Sequence, residues 1–215
     1  MPPYLVTFFL LAAAFSGAPA ASWTDLLNGK DLAGWEVEGL GVWTVLDNGV
    51  LVGQCDPARP CEPQSWLYTK KEFDEYDLSL DYWLRLGGNS GVSIGDRLRA
   101  KNAVDPKTGG WPTPARTAYE VNIDNGPGGG YDITGSIYKF AQAEAGAQRN
   151  TGWNTLLIEV RKDLIRVTLN GRVVAQHPGV PDRPKAGPIG LQLHSPTDVV
   201  MFRNLRIREA SAVVH

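Results

Sequence analysis

Apolar side chains in this sequence recur at every second position, in one short segment after another, and that period belongs to strands rather than helices. The clearest case is residues 119–124, where Tyr119, Val121 and Ile123 fall on one face and Glu120, Asn122 and Asp124 on the other. Residues 76–86 repeat the pattern, with Leu78, Leu80, Tyr82 and Leu84 against Asp77, Ser79, Asp81, Trp83 and Arg85. Strands of this kind bury one face against a second layer and leave the other face to solvent or to a ligand.

Turn residues separate the segments. Asp47-Asn48-Gly49 and Asn170-Gly171 supply the positive φ that hairpins need. Residues 153–161, 164–169 and 172–176 read as a meander, residues 189–194 and 199–208 as a final pair, and residues 133–138 as a further strand. No amphipathic helix longer than a turn or two is expected, and no internal repeat is visible. Roughly a dozen strands with turns between them imply an all-β, two-sheet sandwich of jelly-roll type. Residues 96–117 read as a long loop over one end of a sheet, a length often used for lids and binding loops.

A chain of 215 residues fits one such domain once a leader is removed. Residues 1–20 read as a signal peptide, with an apolar run at 4–14 and the small-residue pattern Ala18-x-Ala20, which leaves 21–215 as a single domain. The run is too short to span a bilayer, which needs ~20 residues. The mature protein is therefore expected to be exported, periplasmic or secreted. Cys55 and Cys61, six positions apart, are expected to form a local disulfide in such a compartment; two thiols without further ligands make only half a zinc site. A net charge of -2 with no basic run argues against nucleic acid or an anionic membrane surface as the main partner. The seven Trp and seven Tyr include candidate platforms for sugar rings, although most aromatic residues in a globular protein are core.

Three strands carry polar sets opposite apolar ones: Asp81, Trp83 and Arg85; Glu120, Asn122 and Asp124; Gln192 and His194. If they share one sheet, these groups converge on its outer face and suit acid–base work on a carbohydrate, with an indole to stack on. Each has a plainer reading. Asp81 and Arg85 make a same-face surface pair, and His194 is as well explained as a structural histidine. His177 beside Pro178 is expected to be solvated, and His215 is the terminus. A Glu, Asp and His trio could also hold a divalent cation, though nothing in the spacing demands one and no metal ligand is assigned. There is no Gly-x-Ser-x-Gly, and the Gly-rich stretch 126–130 lacks the ending of a phosphate cradle.

From Trp23-Thr24-Asp25-Leu26-Leu27-Asn28-Gly29-Lys30-Asp31-Leu32-x-Gly34-Trp35 to Phe202-Arg203-Asn204-Leu205-Arg206-Ile207-Arg208-Glu209, the chain resembles the 3-keto-disaccharide hydrolase domain family. Landmarks between these ends include Leu67-Tyr68-Thr69-Lys70-Lys71, Asn89-Ser90-Gly91-Val92, Tyr119-Glu120-Val121-Asn122-Ile123-Asp124, Thr134-Gly135-Ser136-Ile137-Tyr138 and Gly187-Pro188-Ile189-Gly190-Leu191-Gln192-Leu193-His194. The resemblance implies a concanavalin A-like jelly roll that cleaves glycosides already oxidised to a ketone at C3 of the sugar. It also implies Glu120 and His194 as the acid–base pair, in either order, and Asp81 and Asp124 to orient them or hold a cation. Lys70 or Arg85 would supply charge, Asn122 and Gln192 would bind substrate, and Trp111 would stack on the sugar. Two positions depart from the family pattern. Gly95-Asp96-Arg97 stands where an Arg commonly follows Asn-Ser-Gly-Val, so either Arg97 takes over or that contact is lost, and Asp81 stands where Glu is usual.

Two other readings use the same residues. A retaining β-glucanase of this fold would need close carboxylates, yet Glu120 and Asp124 on one flat strand stand ~13 Å apart and Asn122 replaces the middle acid. A sugar-binding module would use the polar face with no tuned acid or base; a perturbed Glu120 or His194 separates an enzyme from it.

Overall fold

The computed structural model describes residues 21–61, 64–101 and 114–210. They form thirteen strands, numbered in chain order, in two antiparallel sheets. The larger sheet runs β11 (Arg172–His177), β10 (Leu164–Leu169), β9 (Asn154–Arg161), β6 (Tyr76–Leu84), β13 (Val199–Glu209), β4 (Leu51–Gln54) and β3 (Val42–Val45), with β1 (Thr24–Asp25) also paired to β13. The smaller runs β2 (Trp35–Glu38), β5 (Ser65–Thr69), β12 (Ile189–Leu193), β7 (Asn89–Ile94) and β8 (Tyr119–Asp124). This is the jelly-roll sandwich that the alternation requires. The only helices among the described residues are α1 (Pro114–Thr117) and a 3-10 turn at Gly130–Asp132. Neither is long or apolar enough to cross a membrane.

The inward faces follow parity. Leu78, Leu80 and Tyr82 of β6 and Leu156, Ile158 and Val160 of β9 meet Val92 and Ile94 of β7, Val121 and Ile123 of β8 and Leu191 and Leu193 of β12 in one continuous core. Each such side chain contributes about 1.5–3 kcal/mol by leaving water. The hairpins close as their turn residues dictate: Asn170 and Gly171 both take positive φ between β10 and β11, at 49° and 83°.

Residues 133–138 are a correction. They do not form a regular strand but follow the free edge of β8, with an isolated bridge between Val121 and Ile137. Tyr138 N donates to Glu120 O at 2.8 Å, Asn122 N to Ser136 O at 2.9 Å and Gly135 N to Asn122 O at 2.9 Å. The edge strand thereby gains partners for its backbone groups. Cys55 and Cys61 are joined, with their Cα atoms 5.6 Å apart. The leader-like residues 1–20 and most of the expected loop 96–117 lie outside the described residues.

Candidate functional site

The outward face of the smaller sheet is built in rungs. Register puts Glu36, Tyr68, Gly190, Ser93 and Glu120 side by side across five strands. On the next rung, Glu38 opposes Trp66, Trp66 opposes Gln192, and Gly91 opposes Asn122. Asn89 and Asp124 pair beyond that. The two central glycines make the relief of this face. A Cβ on Gly190 would meet the Tyr68 ring at 2.4 Å, and one on Gly91 would meet Glu120 Oε1 at 2.6 Å and Gln192 Oε1 at 3.2 Å. Gly91 is therefore the floor over which the Glu120 carboxyl lies.

A cleft of about 240 Å³ opens above this floor. Gln64, Asn89, Glu120, Gln192 and His194 come from the sheet and its strand ends. Arg116 enters from α1, and Asp132, Tyr138 and Lys139 enter from the segment along the β8 edge. Polar groups dominate the lining, as a sugar's hydroxyls require, and the volume suits one sugar ring.

Glu120 is the electrostatic centre of the cleft. It is only 6% exposed. Burial pushes its carboxyl up to about 8, against the opposing pull of a hydrogen bond from Gln192 and of the Lys139 charge. At neutral pH the group is mostly protonated and can donate. Gln192 in turn reaches Gln64 Oε1 at 3.5 Å, and that same oxygen accepts Trp66 Nε1–H at 2.9 Å. Gln192 Oε1 is buried with no hydrogen-bond partner, an acceptor free for a ligand hydroxyl. Burial, followed by the Asp132 and Glu120 charges, holds the Tyr138 phenol above its ordinary range, so it stays a donor.

The structure thus brings Glu120, Gln192 and His194 together, with Asn122 and Asp124 on the same face. Asn122 Nδ2 donates to Asp132 O at 2.6 Å, and Asp124 Oδ2 accepts from Asn89 Nδ2 at 3.0 Å. Both serve to fix the walls of the cleft. The expectation that three polar strands share one sheet is corrected. β6 lies in the larger sheet, and its outward residues face away from the cleft. There Asp81 accepts from Thr155 Oγ1 at 2.7 Å, Asn204 Nδ2 at 2.8 Å and Arg203 Nε at 3.2 Å, which makes it a structural carboxylate. Arg85 is exposed at the end of the same strand.

Lys70 is exposed beyond β5, where its backbone N donates to Gly34 O at 2.8 Å. Arg97 does not take over the missing Arg: its Nε donates to Ala186 O at 3.1 Å, and it lines a different groove with Lys185 and Arg183. Residue 95 itself cannot carry a side chain, because Gly95 has φ 72° and a Cβ there would stand 2.6 Å from Pro184 O. Trp111 lies outside the described residues. Among the described residues no three His, Cys, Asp or Glu side chains cluster as metal ligands would.

Six lining residues escaped sequence reasoning: Gln64, Asn89, Arg116, Asp132, Tyr138 and Lys139. Asn89 and Tyr138 stood inside family landmarks, and parity alone places Asn89, Gly91 and Ser93 on one face. Arg116 had no such signal. It depends on Asp96, which is buried and accepts from Tyr68 Oη at 2.8 Å, Ala100 N at 2.7 Å and Thr117 Oγ1 at 3.1 Å. The departing Asp96 thus ties α1 down beside the sheet, and α1 delivers a guanidinium to the cleft.

The same architecture occurs in proteins of known structure. A protein from Parabacteroides distasonis, provisionally assigned as a glycosyl hydrolase, is 25% identical over 88% of this chain and 100% of its own, with a TM-score of 0.67. A second from that organism, with the same provisional assignment, is 21% identical over 88% and 94%, at a TM-score of 0.66. A carbohydrate-binding module from Bacillus subtilis shares the fold at 15% identity over 86% and 100%, with a TM-score of 0.55. No curated protein sequence matches the chain. The sequence profile of the 3-keto-alpha-glucoside-1,2-lyase-like domain matches residues 22–208, nearly the whole described fold, and the chain belongs to that family.

Proposed function

We propose that the cleft cleaves glycosides carrying a ketone at C3, by elimination across C1 and C2 followed by hydration. The observation that carries this reading is Glu120: a carboxyl raised to about 8, held in a polar, sugar-sized cleft beside an imidazole and two cations. A ketone at C3 acidifies the C2 proton. His194 removes that proton, and the electron pair moves onto the C3 oxygen as an enolate. The enolate returns its electrons to form the C1–C2 double bond as the C1–O bond breaks. Glu120 donates its proton to the departing oxygen, and water then adds to the enone. An acid near pKa 8 is well matched to that donation, because it is loaded at neutral pH and releases readily.

Family membership supports a carbohydrate substrate and cleavage chemistry. A sugar-binding module is the second reading, favoured by the shared fold of the Bacillus subtilis module. A retaining glycosidase has less support, since Asp124 is engaged by Asn89 and stands four residues from Glu120 on one strand. We further infer export as one domain, a reading supported by the disulfide and by the leader-like residues 1–20.

The test is release of aglycone from a 3-keto glucoside and from its unoxidised parent. Wild type should turn over the keto sugar alone, and Glu120→Gln and His194→Ala should each lose about 10²–10⁴ in kcat/KM. Equal turnover of the parent glycoside would overturn the elimination step. Sugar binding with no turnover of either would leave a binding module.

A further inference from the structure

Lys139 is held in an unusual way. It is one of five described residues other than glycine with positive φ, at 66°. A side chain with a Cβ is strained in that left-handed conformation, and strain kept at a cleft points towards function. The residue sits in a tight turn clamped on both sides. Phe140 N donates to Ile137 O at 2.8 Å, Ala141 N to the same oxygen at 2.9 Å, and Ile137 N to Ala141 O at 2.9 Å. Tyr138 N, one residue earlier, is bonded at 2.8 Å to the backbone oxygen of Glu120 itself. The turn is therefore fixed to the strand that carries the acid, and glycine would occupy position 139 with less strain.

What the lysine adds is charge. It lines the cleft and makes no ion pair among the described residues; its Nζ rests 5.4 Å from the centre of the Tyr138 ring. We propose that Lys139 is the catalytic cation that meets the negative charge formed on the C3 oxygen of the substrate. The inference rests on the elimination reading above. When the base takes the C2 proton, the electron pair reaches the C3 oxygen, and the Lys139 ammonium donates a hydrogen bond to it. No proton need leave the lysine, and the charge is neutralised again when the leaving group departs.

The same charge acts on Glu120 at rest. That carboxyl is faced by Lys139 and Tyr138 from the turn, Asp132 from the 3-10 turn, His194 from the end of β12, Arg116 from α1 and Tyr68 from β5. Burial raises it, and Lys139 draws it part of the way back.

The experiment compares wild type with Lys139→Gly and Lys139→Arg in three readouts: turnover of the 3-keto glucoside, the carboxyl titration of Glu120 by NMR, and thermal melting. Lys139→Gly should lose roughly tenfold to a hundredfold in kcat/KM, the scale of removing one preorganised donor to a developing oxyanion. Its Glu120 should titrate above the wild-type value, and its Tm should rise by a few degrees as the strained side chain is removed. Lys139→Arg should recover both turnover and the Glu120 titration. A Lys139→Gly protein with wild-type kcat/KM overturns the inference and leaves the elimination reading standing. Loss of turnover in Lys139→Gly with no recovery in Lys139→Arg, an unmoved Glu120 titration and a lower Tm assigns Lys139 to turn structure and overturns it as well. Absence of turnover in wild type overturns both.

Discussion

Glu120 couples the cleft to stability as well as to chemistry. Its carboxyl is raised from 4.5 to about 8 on folding, first by burial. Between those values the folded chain holds a proton that the unfolded chain has released, so stability is greatest below the ordinary carboxyl range and declines as pH climbs through about 8. The loss amounts to a few kcal/mol, since each tenfold change in proton affinity is worth about 1.4 kcal/mol. Glu120→Gln cannot ionise. Urea unfolding should therefore show the variant gaining on wild type as pH rises from mildly acidic to alkaline, with the two closest in acid. Parallel stability curves would mean that Glu120 titrates normally. At this scale the sequence revealed the acid but not its environment. Nothing around Glu120 in the chain announces Lys139 or Arg116, since Lys139 reaches the cleft from a turn and Arg116 from the four-residue helix α1, both too short for a period to link residue number to direction.

At the scale of the element, the cleft is a property of register. Alternation alone placed Glu120, Asn122 and Asp124 on one face, and the same parity orders Trp66 and Tyr68 against Ser65, Leu67 and Thr69. Yet all five residues of β5 are buried, because both of its faces are covered, so its pattern of burial shows no alternation. The two glycines facing outward on neighbouring strands should separate function from stability. Gly91→Ala pushes a Cβ against the Glu120 carboxyl, a flexible neighbour that can swing away, so kcat/KM should fall by about 10² while the fold persists. Gly190→Ala drives a Cβ into the Tyr68 ring, which is packed between Trp66 and Asp96 and cannot yield. It should cost about 1–3 kcal/mol in chemical unfolding. Equal effects of the two substitutions on melting would contradict this division.

For the whole molecule, the sequence disclosed the architecture better than the assignment of strands to sheets. Thirteen strands in two sheets match the expected sandwich, but β6 could not be told from β8 or β12 by pattern. Any strand with one buried face reads the same, whichever sheet it joins, so Asp81 looked like a member of the site until pairing placed it in the other layer. The disulfide is local by the same global measure. Replacing Cys55 and Cys61 by Ser should lower stability by only about 2 kcal/mol, because the closed loop is short, and turnover should be unchanged. Calorimetry and assay of the double variant check both halves. A last consequence follows from the stretch that shadows the rim of β8. Its backbone bonds to Asn122 and Glu120 occupy donors and acceptors that would otherwise recruit a strand from another molecule. Damage that loosens it would therefore first be noticed as turbidity in concentrated solution, and the residues that shape the reaction double as a guard against self-association.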